Sequence, residues 1–268
     1  MTNEPAVQSL GLRRPATSVI GECLRVQASV PSNNAAQRLF GVSPLGREAE
    51  PWYIGALGEL EVARRLDSLG PGWYVLHSVP IGTGASDLDH VVIGPAGVFT
   101  INTKHHRGQN VWVGAKRILV NGQRTDHLRN AGFEARRASK LLSAAMRSLV
   151  DVMPVVAIVG ARRMTVRERP SDVVVLHDHE LVHWLQRHPV TLTAEEVQHV
   201  ATVAAQPTAW QRMPEADAVD HAAFDRLRSA VDRARRRRQL WGVVLVAAIP
   251  VTFVVLWSAA FPALLGLG

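Results

Sequence analysis

Asp87-Leu88-Asp89-His90-Val91-Val92-Ile93-Gly94-Pro95-Ala96-Gly97-Val98-Phe99-Thr100-Ile101-Asn102-Thr103-Lys104 is the run on which the fold turns. Two β-rich segments flank Gly94-Pro95-Ala96-Gly97, a four-residue turn signal, so the spacing predicts a hairpin. If Ile93 faces Val98, then Val91 faces Thr100 and Asp89 faces Asn102. Side chains alternate along a strand, which sets Asp89, Asn102 and Lys104 on one face near the open end, with Asp87 opposite Lys104. Such a cluster suits a divalent cation. Oxygen ligands hold Mg²⁺ or Mn²⁺, and a lysine beside them orients a water or meets developing phosphate charge. The same residues also suit a cross-strand surface pair worth little.

Upstream, Leu57, Val62 and Leu66 recur at helical spacing, and Gly70-Pro71-Gly72 stops the helix. Glu59 shares this apolar stripe, where an acid is costly unless paired or bound to a metal. It also fits the edge of the stripe, solvated. Between helix and hairpin, Trp73 to Val79 reads as a strand. Downstream, Asn110–Val113 and Arg117–Val120 predict a second hairpin, with Trp112 packing rather than stacking on a base. Residues 126–149 predict a helix with Leu128, Phe133, Ala138, Leu141 and Leu142 inward. Pro154–Gly160 and Asp172–Leu176 read as buried strands. A helix at His179–Arg187 follows, and Thr193-Ala194-Glu195-Glu196 opens another as a capping box. Strands alternating with helices give a mixed α/β sheet.

Gly58-Glu59 on a helix, Asp89 to Pro95, Gly97-Val98-Phe99 and the closing Thr103-Lys104 resemble the nuclease-related domain (NERD) family, over about residues 51–185. That family is grouped with the PD-(D/E)xK nucleases, so the resemblance implies a restriction-endonuclease-like α/β/α core. It implies Glu59 as the helix acid, pointing inward, Asp89 as the central metal ligand and Lys104 as the catalytic lysine. Position 102 departs from the pattern. A carboxylate is expected two residues before the lysine, and this chain has Asn102, whose amide oxygen can ligate a metal but brings no charge. The expected metal set is Asp89, Asn102 and Glu59, with weak Mg²⁺ or Mn²⁺ binding.

The 268 residues carry a net charge of +7, unevenly spread. Residues 104–140 hold nine basic and two acidic groups, and residues 225–238 hold seven and two. In the first block, Arg107, Lys116, Arg117, Arg124, Arg129 and Arg136 follow directly on the candidate site and form a phosphate-tracking surface or a solvated face. The second block precedes Gln239–Gly268, which has no ionisable side chain. About 20 such residues cross a bilayer, so the expectation is one transmembrane helix at 240–262, anchored by Trp241 and Phe261. The flanking arginines would hold the N-terminal body on the cytoplasmic side of the cell membrane. The expected organisation is a mostly irregular lead-in at 1–50, the α/β domain at 51–206, a linker and basic helix at 207–238, and the span at 239–268. Cys23 is the single cysteine, which excludes a disulfide scaffold and a Cys-rich zinc module.

Three functions follow from these residues. One is a membrane-anchored, metal-dependent phosphodiesterase acting on nucleic acid. Another is a non-catalytic module binding nucleic acid or a protein at the membrane face, and Asn102 divides the two. A third, more remote, is a zinc protease, because His179-Glu180-Leu181-Val182-His183 matches H-E-x-x-H.

Overall fold

A computed structural model describes residues 9–81, 87–211 and 219–264, with side chains to residue 250. The chain divides into two units: Met1–Glu22 with Pro51–Val219, and Cys23–Glu50 with Asp220–Gly268. After a 3-10 turn at Leu10–Leu12, the helices are α1 (Thr17–Gln27), α2 (Ala35–Leu39), α3 (Glu50–Leu66), α4 (His127–Met146), α5 (Asp178–Arg187), α6 (Ala194–Ala204) and α7 (His221–Leu264). Residues 9–50, expected as a mostly irregular, extended or partly helical lead-in, carry these helical segments. The strands are β1 (Tyr74–Pro80), β2 (Asp87–Gly94), β3 (Gly97–His105), β4 (Asn110–Gly114), β5 (Arg117–Val120), β6 (Gln123–Thr125), β7 (Val152–Val159), β8 (Arg163–Val166) and β9 (Val174–His177).

The five-stranded sheet of the first unit runs β1-β2-β3-β7-β9, antiparallel across β1, β2 and β3 and parallel from β3 onward. The hairpin register is as the sequence reads: Ile93 pairs with Val98, Val91 with Thr100 and His90 with Ile101. Alternation then sorts the side chains between two apolar layers. Val91, Ile93 and Val98 face Ala138, Leu142, Val197 and Val200 of α4 and α6. Val92, Phe99 and Ile101 face Val62, Leu66, Leu181 and Leu185 of α3 and α5. The result is a mixed-sheet α/β core, consistent with the restriction-endonuclease-like expectation.

A smaller sheet, β6-β5-β4-β8, extends beyond this core. Its inner side buries Val111, Val113, Ile118 and Val120 against Ala131 of α4 and Val156 and Ile158 of β7. The sequence reading had β4 and β5 and missed β6 and β8, each too short and polar to show a strand period. Phe133, expected in the core, is 60% exposed under the Arg136 guanidinium. Ala131, Ala135 and Ala138 supply the inward stripe of α4 instead.

The expected membrane span is overturned. Among the described residues, no helix is long and apolar enough to cross a membrane. Helix α7 is one 44-residue element whose first part is the arginine-rich segment ending at Arg238. The later part of the expected span, with Phe261, lies outside the residues whose side chains are described. Trp241, expected as an interfacial anchor, donates its indole N–H to Leu39 O at 2.9 Å and packs on Phe40. The membrane partner and the single-pass topology with a cytoplasmic body lose their support with the span.

Helix α3 lies close on β3 because residue 58 is glycine. A Cβ there would stand 3.0 Å from His105 Cβ and 3.3 Å from the Thr103 methyl. Gly58→Val should therefore cost about 1–3 kcal/mol of stability by overpacking. Urea unfolding would show this as a lower midpoint at unchanged slope; an unchanged midpoint would contradict the packing.

Candidate functional site

Asp89, Asn102 and Lys104 and one unforeseen acid, Glu134, gather at the end of β2 and β3, and Glu59 stands near enough to feel the charges of Asp89 and Lys104. Val91 and Val98 face α4, so alternation carries Asp89, Asn102 and Lys104 onto that same side. Asp89 accepts the Thr103 backbone N–H at 2.6 Å, closing the end of the hairpin. Asn102 is buried, and its side-chain amide donates to Glu134 Oε2 on α4 at 2.6 Å. Asn102 Oδ1 is buried with no hydrogen-bond partner among the described residues. Glu59 comes from α3 on the opposite side of the sheet and is only 6% exposed. Asp87 does not stand free opposite Lys104; it accepts from Arg13 at 3.1 Å and from the Ser18 hydroxyl.

Burial dominates the charge state of this cluster. It pushes the Glu59 carboxyl well above the usual range, Asp89 and Asp87 push it further, and Lys104 opposes them. Burial raises Asp89 as well, against the charge of Lys104 and the Thr103 N–H. Glu134 is pushed up to about 7, first by burial and then by Asp89, with the Asn102 hydrogen bond and Lys104 pulling it down. Burial thus raises all three carboxyls around this lysine, Glu134 to about 7. Beside them, His106 and His127 stack with their Nε2 atoms 3.0 Å apart. Burial, with the Lys104 charge assisting, lowers both, His127 to about 4.

At position 102 the donor set brings a neutral amide where a third carboxylate is expected. Asp89 and Glu134 each accept a hydrogen bond at one carboxylate oxygen, and Asn102 Oδ1, buried without a partner among the described residues, is a neutral oxygen. Among the described residues, no group of three or more His, Cys, Asp or Glu stands close enough to hold a metal ion. The two acids and one amide expected as a metal set fall short of such a group at residue 102, which corrects the metal-dependent nuclease reading. The same finding removes the zinc-protease reading. Glu180 caps its own helix by accepting the His177 N–H at 2.9 Å, and His179 stacks on His177.

Glu134 was missed because the 126–149 helix was read for its cations and apolar residues. A signal was present: Glu134 is the one acid within α4, three residues after Ala131 and four before Ala138 on the buried stripe. The expected cations Arg107, Lys116, Arg117, Arg124, Arg129 and Arg136 are all exposed. Arg107 follows β3, Lys116, Arg117 and Arg124 belong to the small sheet, and Arg129 and Arg136 lie on α4. Arg129 pairs with Asp126 at 3.0 Å, a surface pair worth little.

Comparison with known proteins gives this geometry a family. Residues 54–159 match the nuclease-related domain family, so the chain carries a nuclease-related domain. An uncharacterised protein of Bacillus anthracis is 36% identical over 74 residues, covering 26% of this chain and 35% of that protein. The chain thus aligns with about a third of the length of this curated relative. No solved structure matches.

A raised Glu134 pKa ties stability to pH. The folded protein holds this proton more tightly than the unfolded chain does, so the associated stability is present below about 4.5 and is lost as pH rises through about 7. Glu134→Gln keeps an acceptor for Asn102 and removes the ionisation. Chemical unfolding across this window should show a shallower loss for Glu134→Gln than for wild type, and higher stability of the variant at pH 8. Parallel pH profiles would contradict the assignment.

Proposed function

We propose that this nuclease-related domain binds nucleic acid without metal-dependent cleavage, holding phosphate at Lys104 and across the surrounding cations. The observation that carries this reading is Asn102: neutral, and tied through its amide to Glu134 where a third charged ligand would be needed. The exposed cations of the segment that follows support it, since polyphosphate binding depends on such density. In this reading the acid pocket sets the strength of binding. When Glu134 holds a proton, Lys104 faces less negative charge and attracts phosphate better. When Glu134 ionises above about 7, the added charge repels phosphate. His127, lowered to about 4, stays neutral throughout this range.

Fluorescence anisotropy of the full chain with a labelled duplex bearing a single-stranded overhang tests this. Affinity should fall steeply with salt, with a log–log slope of roughly −3 to −5. It should strengthen between pH 8 and pH 6, and Glu134→Gln should bind at pH 8 as wild type does at pH 6. Triple reversal of Arg124, Arg129 and Arg136 to Glu should remove binding, and Mg²⁺ or Mn²⁺ should produce no cleavage. Salt-insensitive binding, no binding at low salt, or metal-dependent cleavage abolished by Lys104→Ala would each overturn the proposal.

A further inference from the structure

The outer side of the small sheet carries chemistry that the acid pocket does not use. Val111, Val113, Ile118 and Val120 point into the core, so the alternate residues of β4 and β5 point out. Cross-strand partners share a side, and Trp112 pairs with Leu119 on β5 and with Thr165 on β8. Leu119 pairs in turn with Arg124 on β6. Arg117, two residues before Leu119, and Arg163, two before Thr165, project the same way, and Arg167 continues the alternation just past the end of β8. All four arginines are exposed, and none makes an ion pair among the described residues. Strands β4, β5, β6 and β8 contain no acidic residue at all.

The Trp112 ring is held flat on this side. A Cβ at Gly114 would stand 2.5 Å from the Cη2 atom and 2.6 Å from Cζ3, so the six-membered ring rests directly over the glycine backbone. Beside the ring opens a cavity of ≈ 410 Å³, whose lining includes Asn110, Leu119, Gly122, Arg163 and Thr165. A core tryptophan would be enclosed on both sides; Trp112 is half-buried, with one side supported and the other bordering this opening.

We infer that the outer side of the small sheet is a platform for single-stranded nucleic acid, on which Trp112 stacks an unpaired base while Arg117, Arg124, Arg163 and Arg167 hold the flanking phosphates. The inference rests on the nucleic-acid-binding reading above and specifies its ligand class and surface. Charge complementarity argues for a polyanion: four unpaired guanidinium groups on a sheet face without a carboxylate. The supported ring selects the single strand. Bases in a duplex are stacked on both sides, whereas an unpaired base offers a free π-face to an aromatic ring. Glycine at 114 is what keeps that ring flat, which accounts for a residue of low strand propensity inside β4.

The test measures binding of labelled oligo-dT, oligo-U and a blunt duplex of equal length to the full chain and its variants. Either single strand should bind tighter than the duplex. Trp112→Ala should weaken single-strand binding about tenfold, in line with the loss of one stacked base, and Trp112→Phe should recover most of it. Gly114→Ala, which displaces the ring and leaves every arginine in place, should weaken it in the same direction. The double reversal of Arg163 and Arg167 to Glu should remove binding and lies outside the core, so it serves where a Trp112 variant folds poorly. A duplex preferred to the single strand, or single-strand binding unchanged in Trp112→Ala and in the arginine reversal, would overturn the platform while leaving nucleic-acid binding in place. Absence of binding to all three probes would overturn both.

Discussion

The hydrogen bond from the Asn102 amide to Glu134, at 2.6 Å, joins the central strand β3 to helix α4 at the point where the sheet's polar end begins. Below it, β3 carries Val98, Phe99 and Ile101 into the two apolar layers; above it come Thr103 and Lys104. An amide at 102 lets α4 bring a carboxylate into this space, because a donor is there to meet it. A carboxylate at 102 would face Glu134 as a like charge and would need a cation between them. The choice of residue at one position thus separates two ways of balancing the pocket, by protons or by a metal.

Proton balance follows from the directions of the shifts. Glu59, Asp89 and Glu134 are all raised with burial as the largest cause, and Lys104 offsets part of it in each. One lysine cannot neutralise three desolvated carboxyls, so burial is left to raise them, Glu134 to about 7. The small sheet escapes this constraint. Its polar side faces solvent, its arginines are exposed, and the one aromatic ring among them rests on Gly114. The two regions differ in their surroundings: half-buried Lys104 lies among desolvated carboxyls, and the arginines of the small sheet are exposed.

Much of the core was legible because its elements carry strong periods. The β2–β3 hairpin register followed from one turn and alternation, and the Thr193–Glu196 capping box opens α6 as its spacing indicates. Glu59 was placed on the buried stripe of α3 by helical spacing, with its inward direction given by family resemblance. What escaped was non-local. Glu134 enters the pocket only because α4 crosses β3, 32 residues from Asn102. Strand β8 pairs with β4 across a separation of more than 50 residues, so Arg163 gave no hint of its place beside Trp112. Trp112 was read as packing, and its ring does rest on the backbone at Gly114; that glycine is the sequence clue that the ring lies flat. The C-terminal segment was read from composition alone: a long uncharged run does not by itself establish a span, and among the described residues no helix is long and apolar enough to cross a membrane.

The most direct test of a proton-held pocket is the side-chain carboxyl titration of Glu134 in the full chain, followed by carbon-detected NMR with and without Mg²⁺. A midpoint near 7 that Mg²⁺ leaves in place is the result this account predicts. A midpoint near the ordinary 4.5, or one that falls when Mg²⁺ is added, would contradict it.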